Sequence, residues 1–301
     1  MSETIESILL EDEKFPFLLK EIPDPPKRLY YKGSLPFDAP GVGIVGTRKV
    51  SPQGRALARS VAEELSRGGF FIMSGLALGV DGAAHEGALL GGCGTLAILA
   101  NGLNSVYPRQ HEGLARKILD KGGALVSEYD LDSPPYPNQF LERNRIISGL
   151  SIATVFIEVP IRSGALVTAR HALSQGREVL VFPGPYQDKN FEGSHMLLRN
   201  GARIVTSAKE ILEDVTSLLS NYPKLNYKGG TSSNTALSLD ELKDENQRKV
   251  YTVLCKSQKP LTVDNILKIT KLEPQIANQT LTFLLLSGFI EESEGTFNAK
   301  S

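Results

Sequence analysis

The stretch "VGIVGTRKVSPQGRALARSVAEELSRGGFFIM", Val42 to Met73, decides the fold. An apolar run ends in a turn, a helix follows, and a second apolar run closes the unit. Ser51 is the natural N-cap and Pro52 fits the first helical position. Leu57, Val61 and Leu65 share one helix face, and Gly68-Gly69 stop it. Both runs are continuous rather than alternating, as expected of strands covered on both faces in a parallel sheet. Five more such runs follow: "TLAILA", "ALVSE", "ATVFIEV", "EVLVF" and "ARIVT". Helices are predicted between them at 82–90, 112–119, 143–150, 166–174 and 194–199. The alternation predicts a doubly wound, mostly parallel α/β sheet of about seven strands.

Outside this core the composition changes. Residues 1–40 hold "FPFLLKEIPDPPKRLYYKG", a proline-rich segment expected to pack in extended form on the main domain, 41–219. Residues 220–238, "SNYPKLNYKGGTSSNTALS", are polar and breaker-rich and read as a linker. Residues 239–301 form a small unit with helices predicted at 246–254, 263–269 and 274–286. A two-stranded wing turning at Glu294-Gly295 completes a winged helix.

The chain has 301 residues, 41% hydrophobic and 22% charged, with a formal net charge of -1. Those values suit a soluble globular protein, and any case for nucleic acid must rest on local charge. Cys93 and Cys255 lie far apart in apolar surroundings, which suits a reducing cytoplasm and gives no metal framework. The acidic first residues are unlike a signal peptide, and no apolar run approaches the ~20 residues of a membrane helix. No membrane association, metal or cofactor is expected.

Ligands of open parallel sheets bind beyond the carboxyl ends of the strands. Here those ends open into "GTRKVS", "SGLALGVD", "NGLNSVYP", "EVPIRSGAL" and "PGPYQDKN", whose glycines and hydroxyls let backbone N–H groups approach an anion. Arg48 and Arg162 follow strand ends directly. In "RNRIISGLS", Arg143 and Arg145 flank Asn144 at a predicted helix start, where the helix dipole already favours an anion. Guanidinium groups placed there make sense if a phosphate is shared among them. Asn144 can cap that helix or bond a base, and Phe140 beside the cluster suits stacking of an unpaired base.

Other signals carry less. Gly41, Gly43 and Gly46 match a dinucleotide fingerprint, but the match runs through a strand rather than after it. "GGCGT", Gly91 to Thr95, resembles a phosphoribohydrolase motif but precedes its strand. Asp81 reads as an N-cap and His85 as a packing histidine. Glu128 and Glu158 end strands and could serve as paired acid and base, with no nucleophile or metal set beside them.

Seven segments in order, among them "GIVGTRKVSPQG", "MSGLALGVDGAAHEGAL", "FLERNRIISGLS" and "SGALVTARHALSQGREVLVFPG", resemble the DNA-processing protein DprA (Smf) family. The likeness covers about residues 15 to 210. It implies an extended Rossmann fold that binds single-stranded DNA, a homodimer, protection of incoming strands in natural transformation, and loading of a RecA-type recombinase. The family's DNA pocket maps onto Gly46, Thr47, Arg48, Phe140, Arg143, Asn144 and Arg145, with Ser163 and Gly164 matching a further loop. No catalytic residue is implied. The alternative from another class is a Rossmann-like nucleotide phosphoribohydrolase using Glu128 or Glu158. From Asp240 to Ser301 there are eight bases against nine acids, and the predicted recognition helix has no base. That balance favours a protein-interaction role for the tail over a grip on duplex DNA.

Overall fold

A computed structural model describes residues 4–35, 38–227, 242, 244–257, 259–286, 289–293 and 295–299. The chain divides into two compact units, Met1–Gly230 and Thr231–Ser301.

In the first unit the seven apolar runs become β3 (Gly41–Gly46), β4 (Phe71–Ser74), β5 (Thr95–Ile98), β6 (Ala124–Ser127), β7 (Ala153–Ile157), β8 (Glu178–Val181) and β9 (Arg203–Ile204). Each pairs in parallel with its neighbours of this set. The leading segment supplies β1 (Ile5–Leu9), a single turn α1 (Phe17–Lys20) and β2 (Arg28–Gly33). β2 joins β6 antiparallel and β1 joins β2, so the sheet has nine strands in the order β1-β2-β6-β5-β4-β3-β7-β8-β9.

Adjacent residues of the central strands face opposite layers. Val45, Phe156 and Val181 belong to one apolar layer. Ile44, Val155 and Leu180 belong to the other. The continuous apolar runs therefore follow from burial of both faces.

The helices of this unit are α2 (Pro52–Arg67), α3 (Val80–Gly91), α4 (Glu112–Asp120), α5 (Pro137–Gly149), α6 (Ala165–Ser174), α7 (Glu192–Arg199) and α8 (Ala208–Leu218). The Ser51 hydroxyl accepts from Gly54 N at 3.0 Å, and Pro52 opens α2 as the sequence predicts. Most other starts lie within two residues of expectation. α5 differs, beginning six residues before the expected Arg143. Tyr136 is extended, Pro137 takes the first helical position, and the Gln139 side chain accepts from Tyr136 N at 3.0 Å. Pro137 is the helix start signal here.

The expected linker, 220–238, lies outside the described residues from 228 onward. Before that the chain stays packed. Tyr227 sits 5.0 Å from the Phe70 ring and donates its hydroxyl to Gly68 O at 2.8 Å.

The second unit contains α9 (Glu245–Lys256), β10 (Leu261–Thr262), α10 (Val263–Thr270), α11 (Pro274–Leu286), β11 (Ile290–Ser293) and β12 (Thr296–Ala299). Its strands pair in the order β10-β12-β11. Val250, Leu254, Ile266, Leu281 and Phe297 fill its own core. Three helices and a β-wing make a winged helix. Of the expected wing turn, Glu294 lies outside the described residues and Gly295 has φ +74°.

Strand order fixes where a ligand can sit. β4, β5 and β6 lie on one side of β3, and β7, β8 and β9 on the other. The connections leaving β3 and β7 therefore diverge, opening a crevice at the carboxyl ends of these two strands.

Candidate functional site

A cleft of about 640 Å³ occupies that crevice. Its floor is the turn after β3, with Gly46, Thr47 and Arg48 among the lining residues. Gly46 packs against Ile157 so closely that a Cβ would overlap the Ile157 carbonyl. Thr47 N donates to Glu158 O at 3.0 Å, and Val80 N donates to Thr47 O at 3.2 Å. Gly79, at φ +87°, lets the backbone of Thr47 and Arg48 pass; a side chain there would clash with both. The turn is thus held by the residue after β7 and by the start of α3, while Arg48 is exposed. The Arg48 guanidinium carbon lies 5.0 Å from the centroid of the Phe140 ring, and Tyr107 meets the same ring edge-on at 5.5 Å.

The wall is α5. Phe140, Arg143, Asn144 and Ile147 recur at helical spacing and all line the cleft. Arg143 is only 3% exposed. Its Nη1 donates to Gly75 O at 2.8 Å and to Ile98 O, and its Nε donates to Asn144 Oδ1 at 3.3 Å. Burial pushes its pKa down to about 10, against an opposing pull from Asp81 and with Arg48 adding to the depression. Burial likewise raises the Asp81 carboxyl, and Arg143 offsets part of that. Two cations and one carboxyl therefore share a partly dry site, where an arriving anion would gain more than it would in water.

Three expectations need correction. Arg143 and Arg145 do not stand at a helix N-terminus, because α5 begins at Pro137 and both lie in its interior. Two residues apart on a helix, they point to different sides. Asn144 does not cap a helix; its amide donates to Gly164 O at 3.3 Å, tying α5 to the loop before α6. Nor is Asp81 an N-cap: Gly79 holds that position, and Asp81 accepts from Gly75 N at 3.0 Å.

Arg145 is absent from the residues lining the cleft. Its Nη1 and Nη2 donate to the two Glu128 oxygens at 2.7 Å each, and its Nε donates to Asp24 Oδ2 at 3.0 Å. This bidentate pair ties α5 to the end of β6 and to the leading segment. The other eight sequence-derived residues meet in the one cleft.

Against α5 lies the loop after β7, whose Arg162, Ser163 and Gly164 also line the cleft. Ser163 Oγ accepts from Ala165 N at 3.2 Å, closing the loop onto α6. Arg162 is exposed and, among the described residues, has no ion-pair partner. Its place after a strand end was the sequence signal for it. Tyr107, 45% exposed on the rim, was missed; the "NSVYP" loop was the only hint. His85 is buried and its Nδ1 lies 2.7 Å from the Thr95 hydroxyl, a packing role as expected.

Neither carboxylate weighed for acid-base work lines the cleft. Glu128 is engaged by Arg145. Glu158 Oε2 accepts from Ser51 N at 2.9 Å, and Oε1 accepts from the Ser51 hydroxyl.

Residues 6–216 match the sequence model of the DNA recombination-mediator protein A family. "Protein Smf" of Escherichia coli (strain K12) is 42% identical over 236 residues, which cover 77% of this chain and 63% of the relative's own length. The X-ray structure of DNA processing protein A (DprA) from Streptococcus pneumoniae superposes with a TM-score of 0.65 at 35% identity, covering 70% of this chain and 75% of that one. The DNA processing protein A of Helicobacter pylori, described for its single-stranded DNA binding mode, gives 0.63 at 28% identity, covering 72% of this chain and 99% of that one.

Proposed function

Because this chain belongs to the DNA recombination-mediator protein A family, we propose that it binds single-stranded DNA in the switch-point cleft and does no chemistry there. The observation that carries the reading is the convergence of Arg48, Arg143 and Arg162 on one cleft beside the Phe140 and Tyr107 rings. Asp81 is the one carboxylate among the described residues lining it. Guanidinium groups hold phosphates, and the aromatic rings offer faces on which unpaired bases stack. Gly46, Thr47, Asn144, Ser163 and Gly164 complete the lining of the pocket. Duplex bases are already stacked and cannot reach a recessed ring, so single strands are favoured.

The commitment of Glu128 and Glu158 to internal partners counts against a phosphoribohydrolase. Further roles in the same proposal are a homodimer, delivery of the bound strand to a RecA-type recombinase, and protection of incoming DNA in transformation. No helix among the described residues is long and apolar enough to cross a membrane, and the reading places the protein in the cytoplasm. The winged helix is read as a protein-interaction module, because α11 has no basic residue in its last turn and none elsewhere in its sequence. Fluorescence anisotropy with a labelled oligo-dT and with a duplex of equal length, across a salt series, tests the proposal. Equal affinity for the two would overturn it, as would nucleotide turnover lost in Glu158→Gln.

A further inference from the structure

Glu158 is 2% exposed and sits at φ +48°, a conformation that L side chains rarely adopt. Such a residue persists when its surroundings hold it there, and such outliers gather near functional sites. Its surroundings are specific. The Glu158 carbonyl accepts from Thr47 N at 3.0 Å. Its carboxylate accepts from Ser51 N at 2.9 Å and from the Ser51 hydroxyl. Asn190 Nδ2 adds a third donor at 3.4 Å, from the 3-10 turn Lys189–Phe191. Gly54 leaves the room this needs, since a Cβ there would run into the carboxylate. One residue therefore pins both ends of the five-residue turn Thr47–Ser51, on which Arg48 is carried.

We infer that Glu158 is a positioning residue for nucleic-acid binding: it fixes the Thr47–Ser51 turn so that Arg48 is presented to the strand, without touching the strand itself. The inference rests on the cleft being the single-stranded DNA site. Without the carboxylate, Ser51 loses the acceptor for its N–H and its hydroxyl proton, and at that end the turn is held only through the Ser51 cap on α2. Arg48 would then have to be ordered at the moment of binding, at a cost in affinity.

A double-mutant cycle on oligo-dT binding separates positioning from general damage. Glu158→Ala should weaken binding about tenfold, the order expected for losing a hydrogen-bonded carboxylate. Glu158→Gln keeps the shape and one acceptor and should lose less. In an Arg48→Ala background, Glu158→Ala should cost less than about twofold, because the group it serves is gone. Equal losses in both backgrounds, or no loss in a folded variant, would overturn the inference. Should Glu158→Ala not fold, the same cycle with Glu158→Gln decides: coupling with Arg48→Ala supports positioning, and additive or absent loss refutes it. If the unmutated protein fails to bind oligo-dT, or Arg48→Ala changes nothing, the reading of the cleft itself falls. If those hold and only the coupling is missing, Glu158 alone is misassigned.

Discussion

Replacing Arg48 by alanine removes one exposed guanidinium from the cleft and little else. The side chain has no ion-pair partner among the described residues, and its contact with the Phe140 ring is a 5.0 Å cation–π approach. At an exposed site that contact stabilises the fold by about 0.5–1 kcal/mol, so thermal unfolding should barely move. Binding should respond more. Three arginines line the cleft, and each phosphate neutralised on a single strand contributes about -0.7 to the slope of log K on log salt. Three contacts give a slope of about -2, so raising salt from 50 to 200 mM should weaken binding roughly 18-fold. With two contacts the same step should weaken it roughly 7-fold. The assay is anisotropy on labelled oligo-dT at four or more salt concentrations. An unchanged slope in Arg48→Ala would show that Arg48 neutralises no phosphate, whatever happens to the affinity at one salt.

Arg145→Ala should leave that slope unaltered while lowering stability by about 2–3 kcal/mol in urea unfolding. The figure lies near the lower end of the cost of breaking a buried pair, because Asp24 is 81% exposed while Glu128 is left largely buried. Phe140→Ala should cost about 1–3 kcal/mol of single-strand affinity with the slope retained, read in the same titration. His85 gives a pH test. Burial first, then His111 and Arg143, lower its pKa from 6.5 to about 3. The unfolded chain takes up this proton near pH 6.5 and the folded chain does not, so the contribution to stability is complete above 6.5. It is lost as pH falls towards about 3, by about 1.4 kcal/mol per pH unit. His85→Gln should show a shallower loss of stability between pH 6.5 and 4.5 than the unmutated protein, and parallel curves would refute the assignment.

The sheet was legible because its signals are local. Ser51, Pro52 and Gly68-Gly69 bracket α2 within a few residues, and an apolar run covered on both faces looks the same wherever its partner strand lies. The site was legible in its glycine turns, which must occur at strand ends. At the arginine cluster what misled is one helix boundary. With α5 started at Arg143, the two arginines share a terminus. Started at Pro137, they stand two positions apart in its interior, and helical geometry alone sends them to different sides. The partners that claim Arg145 could not be read in advance, since Asp24 is 121 residues away in the chain and Glu128 is 17. Glu158 stands out in the sequence by its acidity and its strand end, but its bonds to Ser51 join positions 107 residues apart.

α5 serves two masters. One flank forms the cleft wall, and the other is moored by Arg145 to Asp24 and to the end of β6. A rigid rod fastened this way conveys strain across its own width. Changes in the opening thirty residues, such as a truncation, a fusion tag or a swapped charge at position 24, should therefore surface as apparent binding defects. A screen for loss of activity would collect substitutions from that remote flank alongside true contact residues. The salt slope sorts the two groups, since slackened moorings shift affinity at every ionic strength alike.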